Sequence, residues 1–196
     1  MAMTLDGTSG ITQMTGSIVM SGSTSGTTTI IPSAVAGTTT VTMPAATGTM
    51  MVSGNMPAFS AYQSASQTIS GGVNTKITFT TKEFDTNTNY DTSTSKFTPT
   101  VAGYYQVDAS VCYSNATAGE QLRTQIYKNG SQAKIGTVGN STSTQAASSN
   151  VSALIYMSGS TDYLEIYIYS SGLGGTTPTN AFAGGTYFQA AMVRSA

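Results

Sequence analysis

Histidine and tryptophan are absent from this chain of 196 residues, cysteine occurs once, and only 8% of the residues are charged. Without histidine, the side chain that most often serves as a general base near neutral pH is missing. A lone Cys112 excludes an internal disulfide framework and cysteine-rich metal sites. Seven Lys/Arg against eight Asp/Glu give a net charge of −1. No basic stripe is therefore available to neutralise phosphates or anionic lipid, and neither nucleic acid nor membrane insertion is expected. No apolar run approaches the roughly 20 residues of a membrane-spanning helix. The opening stretch lacks the basic and apolar segments of a secretory signal, so assembly in a reducing cytoplasm is expected.

What is abundant is threonine and serine, 35 and 26 residues. The aromatic residues, 11 Tyr and 6 Phe, are unevenly placed: the first is Phe59 and the last Phe188. Before Phe59 the only charge is Asp6, and eight of the ten methionines lie at or before Met56. Two segments with different physics meet there, an arm over residues 1–56 and a head over 57–196. The arm carries short apolar bursts, such as Ile18 to Met20 and Ile30-Ile31, and a near-repeat of Gly-Thr-Thr-Thr beginning at Gly26 and Gly37. β-Branched residues closed by Gly or Pro predict short strands and turns. Without aromatics, such a segment buries too little area to offset an ordering cost of roughly 1–2 kcal/mol per residue. It is expected to be a flexible linker, or to gain order from copies of itself or from a partner.

The head alternates with period two. In residues 105–113, Tyr105, Val107, Ala109, Val111 and Tyr113 share one face, and Gln106, Asp108, Ser110 and Cys112 the other. In residues 163–169, Leu164, Ile166 and Ile168 oppose Tyr163, Glu165, Tyr167 and Tyr169. Further strands are predicted over 76–81, 96–101, 122–128, 151–157 and 186–193, with turn chemistry between them such as Asn129-Gly130. No amphipathic helix is found. About eight short strands predict an all-β, two-sheet sandwich or barrel.

An ordered series of fragments carries a resemblance: Phe59-Ser-Ala61, Phe84-Asp85 with Asn89-Tyr90, Phe97-Thr98, Gly103-Tyr-Tyr105, Lys128-Asn-Gly130, Ala153 to Met157, Tyr163 to Ile166, Phe182 to Gly185 and Tyr187 to Val193. Together they are similar to the jelly-roll head shared by complement-q globular domains and the tumour necrosis factor group. Ser160-Thr-Asp162 stands where that family usually has Gly-Asp, and the closing Gly184 to Phe188 is looser than its Phe-Ser-Gly-Phe. The resemblance implies a compact trimer with one sheet of each subunit against a threefold axis. The arm has its own likeness: Asp6 to Thr12 and Val35 to Gly48 resemble the Gly/Thr-rich segments that precede the distal domains of tailed-bacteriophage fibre proteins.

Site candidates follow. Residues 85–91 place an acidic or amide oxygen at every second position, as a calcium loop does, but Tyr90 occupies the glycine place and Lys96 that of the bidentate glutamate. A polar strand-to-loop segment is the expected reading, with no metal and no cofactor. Cys112 has no base to activate it and is expected to be a small half-buried side chain. Tyr163, Tyr167 and Tyr169 have two roles open, stacking on sugars or burial between subunits. The resemblance implies the second, with Tyr187 as a further interface candidate. Receptor contacts are expected in the polar loops 115–120, 139–150 and 172–180, represented by Asn115, Glu120, Asn140, Asn150 and Asn180.

The composite expectation is a non-enzymatic virion protein of a tailed phage, assembled in the host cytoplasm. It would be a homotrimer whose arm docks on other virion proteins and whose head recognises host-surface glycan. A capsid-decorating trimer without a receptor role is the alternative. A glycan depolymerase would need paired carboxylates in one cleft, and the acids show no such spacing.

Overall fold

Runs of β-branched and aromatic residues, stopped by Gly, Asn and Pro, make the strands of the described residues. The computed structural model describes residues 18–31, 33, 40–42, 45, 47–48, 50–140, 145–171 and 176–196, and the side chains of Asn140 and Gln145 also lie outside this set. The chain divides into two units, Met1–Thr47 and Gly48–Ala196.

Among its described residues the first unit contains one hairpin. Strands β1 (Ile18–Ser21) and β2 (Thr27–Ile30) pair antiparallel with Ile18 opposite Ile30 and Met20 opposite Thr28. Gly26 adopts a positive φ of 76°, and the Gly22 amide donates to its carbonyl at 2.8 Å. Every described residue of this unit is exposed. A two-stranded ribbon with no buried face has no independent stability. Gly37 and the stretch from Asp6 to Thr12 fall outside the described residues.

The second unit is a two-sheet sandwich. It opens on a 3-10 turn (Ser53–Asn55) and is followed by β3 (Ala58–Tyr62), β4 (Thr68–Ser70), β5 (Asn74–Lys76), β6 (Thr81–Asp85), β7 (Tyr90–Asp91) and β8 (Lys96–Phe97). The longer strands come next: β9 (Gly103–Ala116), β10 (Gln121–Lys128), β11 (Ser131–Asn140), β12 (Gln145–Met157), β13 (Leu164–Ser170), β14 (Thr176–Pro178) and β15 (Tyr187–Ser195). One sheet runs β12-β9-β15-β3-β6; the other runs β11-β10-β13-β8-β7, with β5 also on β13. β14 pairs with β4. No α-helix occurs among the described residues. This is the two-sheet sandwich that the alternation predicted, in the jelly-roll order that the resemblance implied.

The strand expected over 76–81 is divided between β5 and β6, although the Ile77 amide still donates to Ile166 O at 2.9 Å. That expected over 96–101 shortens to β8, because Pro99 has no amide for the ladder. At Asn129-Gly130 both residues take positive φ, 53° and 78°, the conformation of a type I′ turn, and β10 folds directly onto β11.

The core forms where the inward faces of the two sheets meet. Tyr105, Val107, Ala109, Val111 and Tyr113 of β9 are buried with Leu164, Ile166 and Ile168 of β13. Phe59 organises the aromatic end: it stacks on Phe97 at 4.4 Å and Tyr90 at 4.7 Å, and meets Phe188 edge-on at 4.9 Å. Burial would strand the hydroxyls of Tyr90 and Tyr105, so each donates to a carbonyl, Phe79 O at 2.9 Å and Val101 O at 2.7 Å.

Candidate functional site

Each sheet has an outward face, and the two differ in chemistry. On the five-stranded sheet, pairing sets Leu154, Gln106, Ala191 and Ala58 in one cross-strand row, and Ser152, Asp108, Gln189 and Ser60 in the next. Around these rows stand Phe84, Tyr104, Leu154, Tyr156 and Val193, each between 39% and 54% exposed. Tyr104 and Tyr156 lie 5.5 Å apart between ring centres. A shallow cavity of about 210 Å³ is lined by Ala58, Phe84, Gln106, Asp108, Gln189 and Ala191 among others. Of these exposed apolar side chains, Leu154 and Tyr156 on β12 and Phe84 on β6 stand at the two edges of the sheet, with polar rows between them. The signal was present in residues 151–157, where Leu154 and Tyr156 oppose Val151, Ala153 and Ile155: both faces of that strand are apolar.

The outward face of the second sheet is aromatic, amide-rich and cationic. Across β10, β13 and β5, one row is Arg123, Tyr169, Asn74 and the next is Gln125, Tyr167, Lys76. Tyr127 and Tyr167 stack at 4.0 Å, the Arg123 guanidinium lies 4.3 Å above Tyr169, and Lys96 Nζ lies 3.9 Å above Tyr163. Gln132 Nε2 donates to Gln125 Oε1 and Gln125 Nε2 to Asn74 Oδ1, both at 2.7 Å. Glu165, almost fully buried, is bridged by Lys76 at 2.5 Å and approached by Lys96 at 3.9 Å. Partial burial, followed by the nearby negative charge of Glu165, raises the hydroxyl pKa of Tyr167.

The four tyrosines expected at one subunit interface therefore do not share a surface. Tyr163, Tyr167 and Tyr169 face outward from the six-stranded sheet, whereas Tyr187 stands on the apolar face of the other. Side-chain alternation sorts residues within a strand and is silent on which sheet the strand joins.

The polar loops also contract. Residues 139–150 are mostly the ends of β11 and β12; only 141–144 separate them, outside the described residues, as does the Asn140 side chain. Asn150 is an exposed strand residue opposite Ser110, not a loop residue. Asn115 is exposed but belongs to β9. In 172–180, β14 occupies 176–178, residues 172–175 lie outside the described set, and Asn180 is exposed with its amide donating to Cys112 O.

Glu120 needs the largest correction. It is 1% exposed, and its carboxylate accepts from Thr117 N, Thr177 Oγ1 and Ser170 Oγ. A carboxylate committed to those donors is a structural post beneath the loop, not a receptor contact. Among the described residues the buried Tyr113 hydroxyl has no hydrogen-bond partner; desolvation, with the charge of Glu120 second, pushes its pKa well up.

The remaining sites are structural. Asp85 accepts from the amides of Asn89 and Tyr90 and pairs with Lys82 at 3.2 Å, so it holds its own turn together. Asp91 is held down to about 2 by hydrogen bonds from Thr94 and then Ser93. Among the described residues no group of three or more Asp, Glu or Cys is placed to hold a metal ion. Cys112 is half-buried, its thiol donates to Gly185 O at 3.3 Å, and burial raises its pKa, the opposite of what a nucleophile requires.

Two antiparallel sheets in jelly-roll order, with outward faces of different chemistry, define a jelly-roll β-sandwich domain. The profile of the C1q domain matches residues 58–184, and the chain belongs to that family. Among solved structures it is similar to the globular domain of zebrafish complement 1qA protein, with 17% identity over 71% of this chain and 98% of that one at a TM-score of 0.51. Eiger TNF from S. frugiperda matches at 10% identity, 72% and 93% coverage and a TM-score of 0.52. Murine APRIL matches at 8%, 70% and 99%, and 0.54. No curated protein matches the chain. C1q-like domains are typically trimeric and serve as non-enzymatic binding or structural modules.

Proposed function

We propose that this chain is the trimeric recognition head and arm of a virion appendage, a fibre of a tailed bacteriophage that meets the host surface. The observation that carries the reading is the outward face of the five-stranded sheet. Phe84, Tyr104, Leu154, Tyr156 and Val193 stay wet in a single subunit and become dry when three copies pack on a common axis. The β1–β2 hairpin supports the same assembly. Ile18, Met20 and Ile30 share one face of a ribbon that buries nothing by itself, so sister chains would cover both that face and its open edges. The Gly/Thr-rich composition of the arm supports docking on other virion proteins.

A decorating trimer with no receptor role is favoured by one observation, the contraction of the polar loops into strands with Glu120 buried beneath them. Two measurements separate the readings. Sedimentation of the purified chain is expected to give three subunits; a stable monomer overturns both. The trimer is then expected to compete with phage for adsorption to cells. No competition, with the protein localised on the capsid, selects the decorating role.

A further inference from the structure

We propose that the outward face of the six-stranded sheet, centred on Arg123, Tyr167, Tyr169, Lys76 and Lys96, binds an acidic oligosaccharide. This rests on the receptor reading above and gives it a place and a ligand class.

Charge is segregated in the fold. Five of the seven basic residues, Lys76, Lys96, Arg123, Lys128 and Lys134, lie on strands of this sheet. Two of the nearby acids are paired with cations, Asp162 with Lys128 at 2.8 Å and Glu165 with two lysines, while Asp91, hydrogen-bonded by the Ser93 and Thr94 hydroxyls, keeps its charge opposite Lys96. The five cations against Asp91, Asp162 and Glu165 leave this sheet a net charge of +2. Arg123 has no carboxylate within 4.0 Å among the described residues, and its Nε is buried with no hydrogen-bond partner. Its guanidinium is held by the Tyr169 ring. A planar guanidinium braced by a ring and facing no carboxylate fits a carboxylate or sulfate.

Spacing then chooses the kind of molecule. Arg123 and Lys76 are two strands and one same-face row apart, about 12 Å at the backbone from ordinary sheet spacings. Between them lie Tyr167 and Tyr169, rigid apolar rings carrying hydroxyls, a combination suited to adaptable contact with a polar ligand. The amide relay Gln132 to Gln125 to Asn74 ends on the Asn74 side-chain amide, whose hydrogens have no acceptor among the described residues. Two cationic poles across a hydroxyl- and amide-bearing strip suit an extended sugar chain with repeated anionic groups. Three cations are too few for nucleic acid, whose affinity rests on many phosphate contacts.

The test is titration calorimetry of the full chain with an oligouronate, a sulfated hexasaccharide, a neutral dextran oligomer and a short DNA duplex. Expected is binding to one or both acidic sugars, weakening as salt rises, and none to dextran. Arg123→Gln should weaken it tenfold or more, Lys134→Gln at the sheet edge by less than twofold. If R123Q unfolds, Arg123→Lys keeps the charge without the planar fork and is expected to lose several-fold. Equal losses in R123Q (or R123K) and K134Q, DNA binding as tight as sugar binding, or no heat with either acidic sugar overturns the site. A chain that still blocks adsorption while failing these titrations defeats this assignment alone; one that blocks nothing defeats the receptor reading.

Discussion

Replacing Leu154 by Asp separates assembly from folding. Leu154 sits on the apolar outward face and is 53% exposed in the single subunit, so about half its area has already left water. Full burial of a leucine is worth about 1.5–3 kcal/mol, which leaves about 0.8–1.6 kcal/mol per subunit to be gained at a trimer interface. Three copies therefore lose about 2.4–4.8 kcal/mol, roughly two to three powers of ten in the trimer dissociation constant at about 1.4 kcal/mol each. Desolvating three carboxylates adds to that loss. The subunit itself should fold almost unchanged, because the Leu154 side chain lies outside the core and Val151, Ile155 and Met157 still fill it. Sedimentation velocity over a dilution series reads the outcome, with circular dichroism as the folding control. A folded L154D that sediments with the parent trimer at every dilution would show that this face is not the interface.

Phe188→Ala, at the junction of the Phe59, Phe79 and Tyr90 rings, is expected to cost about 3–5 kcal/mol in urea unfolding. Glu120→Ala strips the acceptor from Ser170, Thr177 and the Thr117 amide, and should cost about 1–3 kcal/mol or more while leaving sugar binding intact. Acid should weaken the fold through Asp91 and Asp162. The first is held at about 2 by the Thr94 and Ser93 hydroxyls, the second well below its usual value by hydrogen bonds from Lys128 and Asn129. Groups lowered on folding stabilise above their unfolded value of about 3.9 and lose that contribution as pH falls through the folded value. Melting temperatures should therefore hold above pH 4 and drop toward pH 2, with Asp162→Asn flattening that drop.

Much of the head was written in period two. Alternation in residues 105–113 and 163–169 assigned the inward sets correctly, because burying one face of a pleated strand leaves no other register. The fragments shared with the complement-q and tumour necrosis factor group proved to be the packing itself: Phe59, Tyr90, Phe97, Tyr105 and Phe188 make one aromatic cluster. Loop lengths were harder to read, since Ser, Thr and Asn at the ends of β11 and β12 look like loop chemistry until a partner strand takes up their backbone groups.

What the amino-acid order determined alone was local: strand or turn, inward or outward, and an arm without the bulk to make a core. Which outward faces lie together was decided only by long-range pairing. β13 joins β10 on one side and β5 on the other, while β15 joins β9 and β3, which puts Tyr187 on a different surface from Tyr167 and gathers Arg123 with Lys76 and Lys96. Those neighbours are dozens of residues apart, and their meeting reflects closure of the whole sandwich, a choice made by the summed burial of two sheets that no single strand encodes.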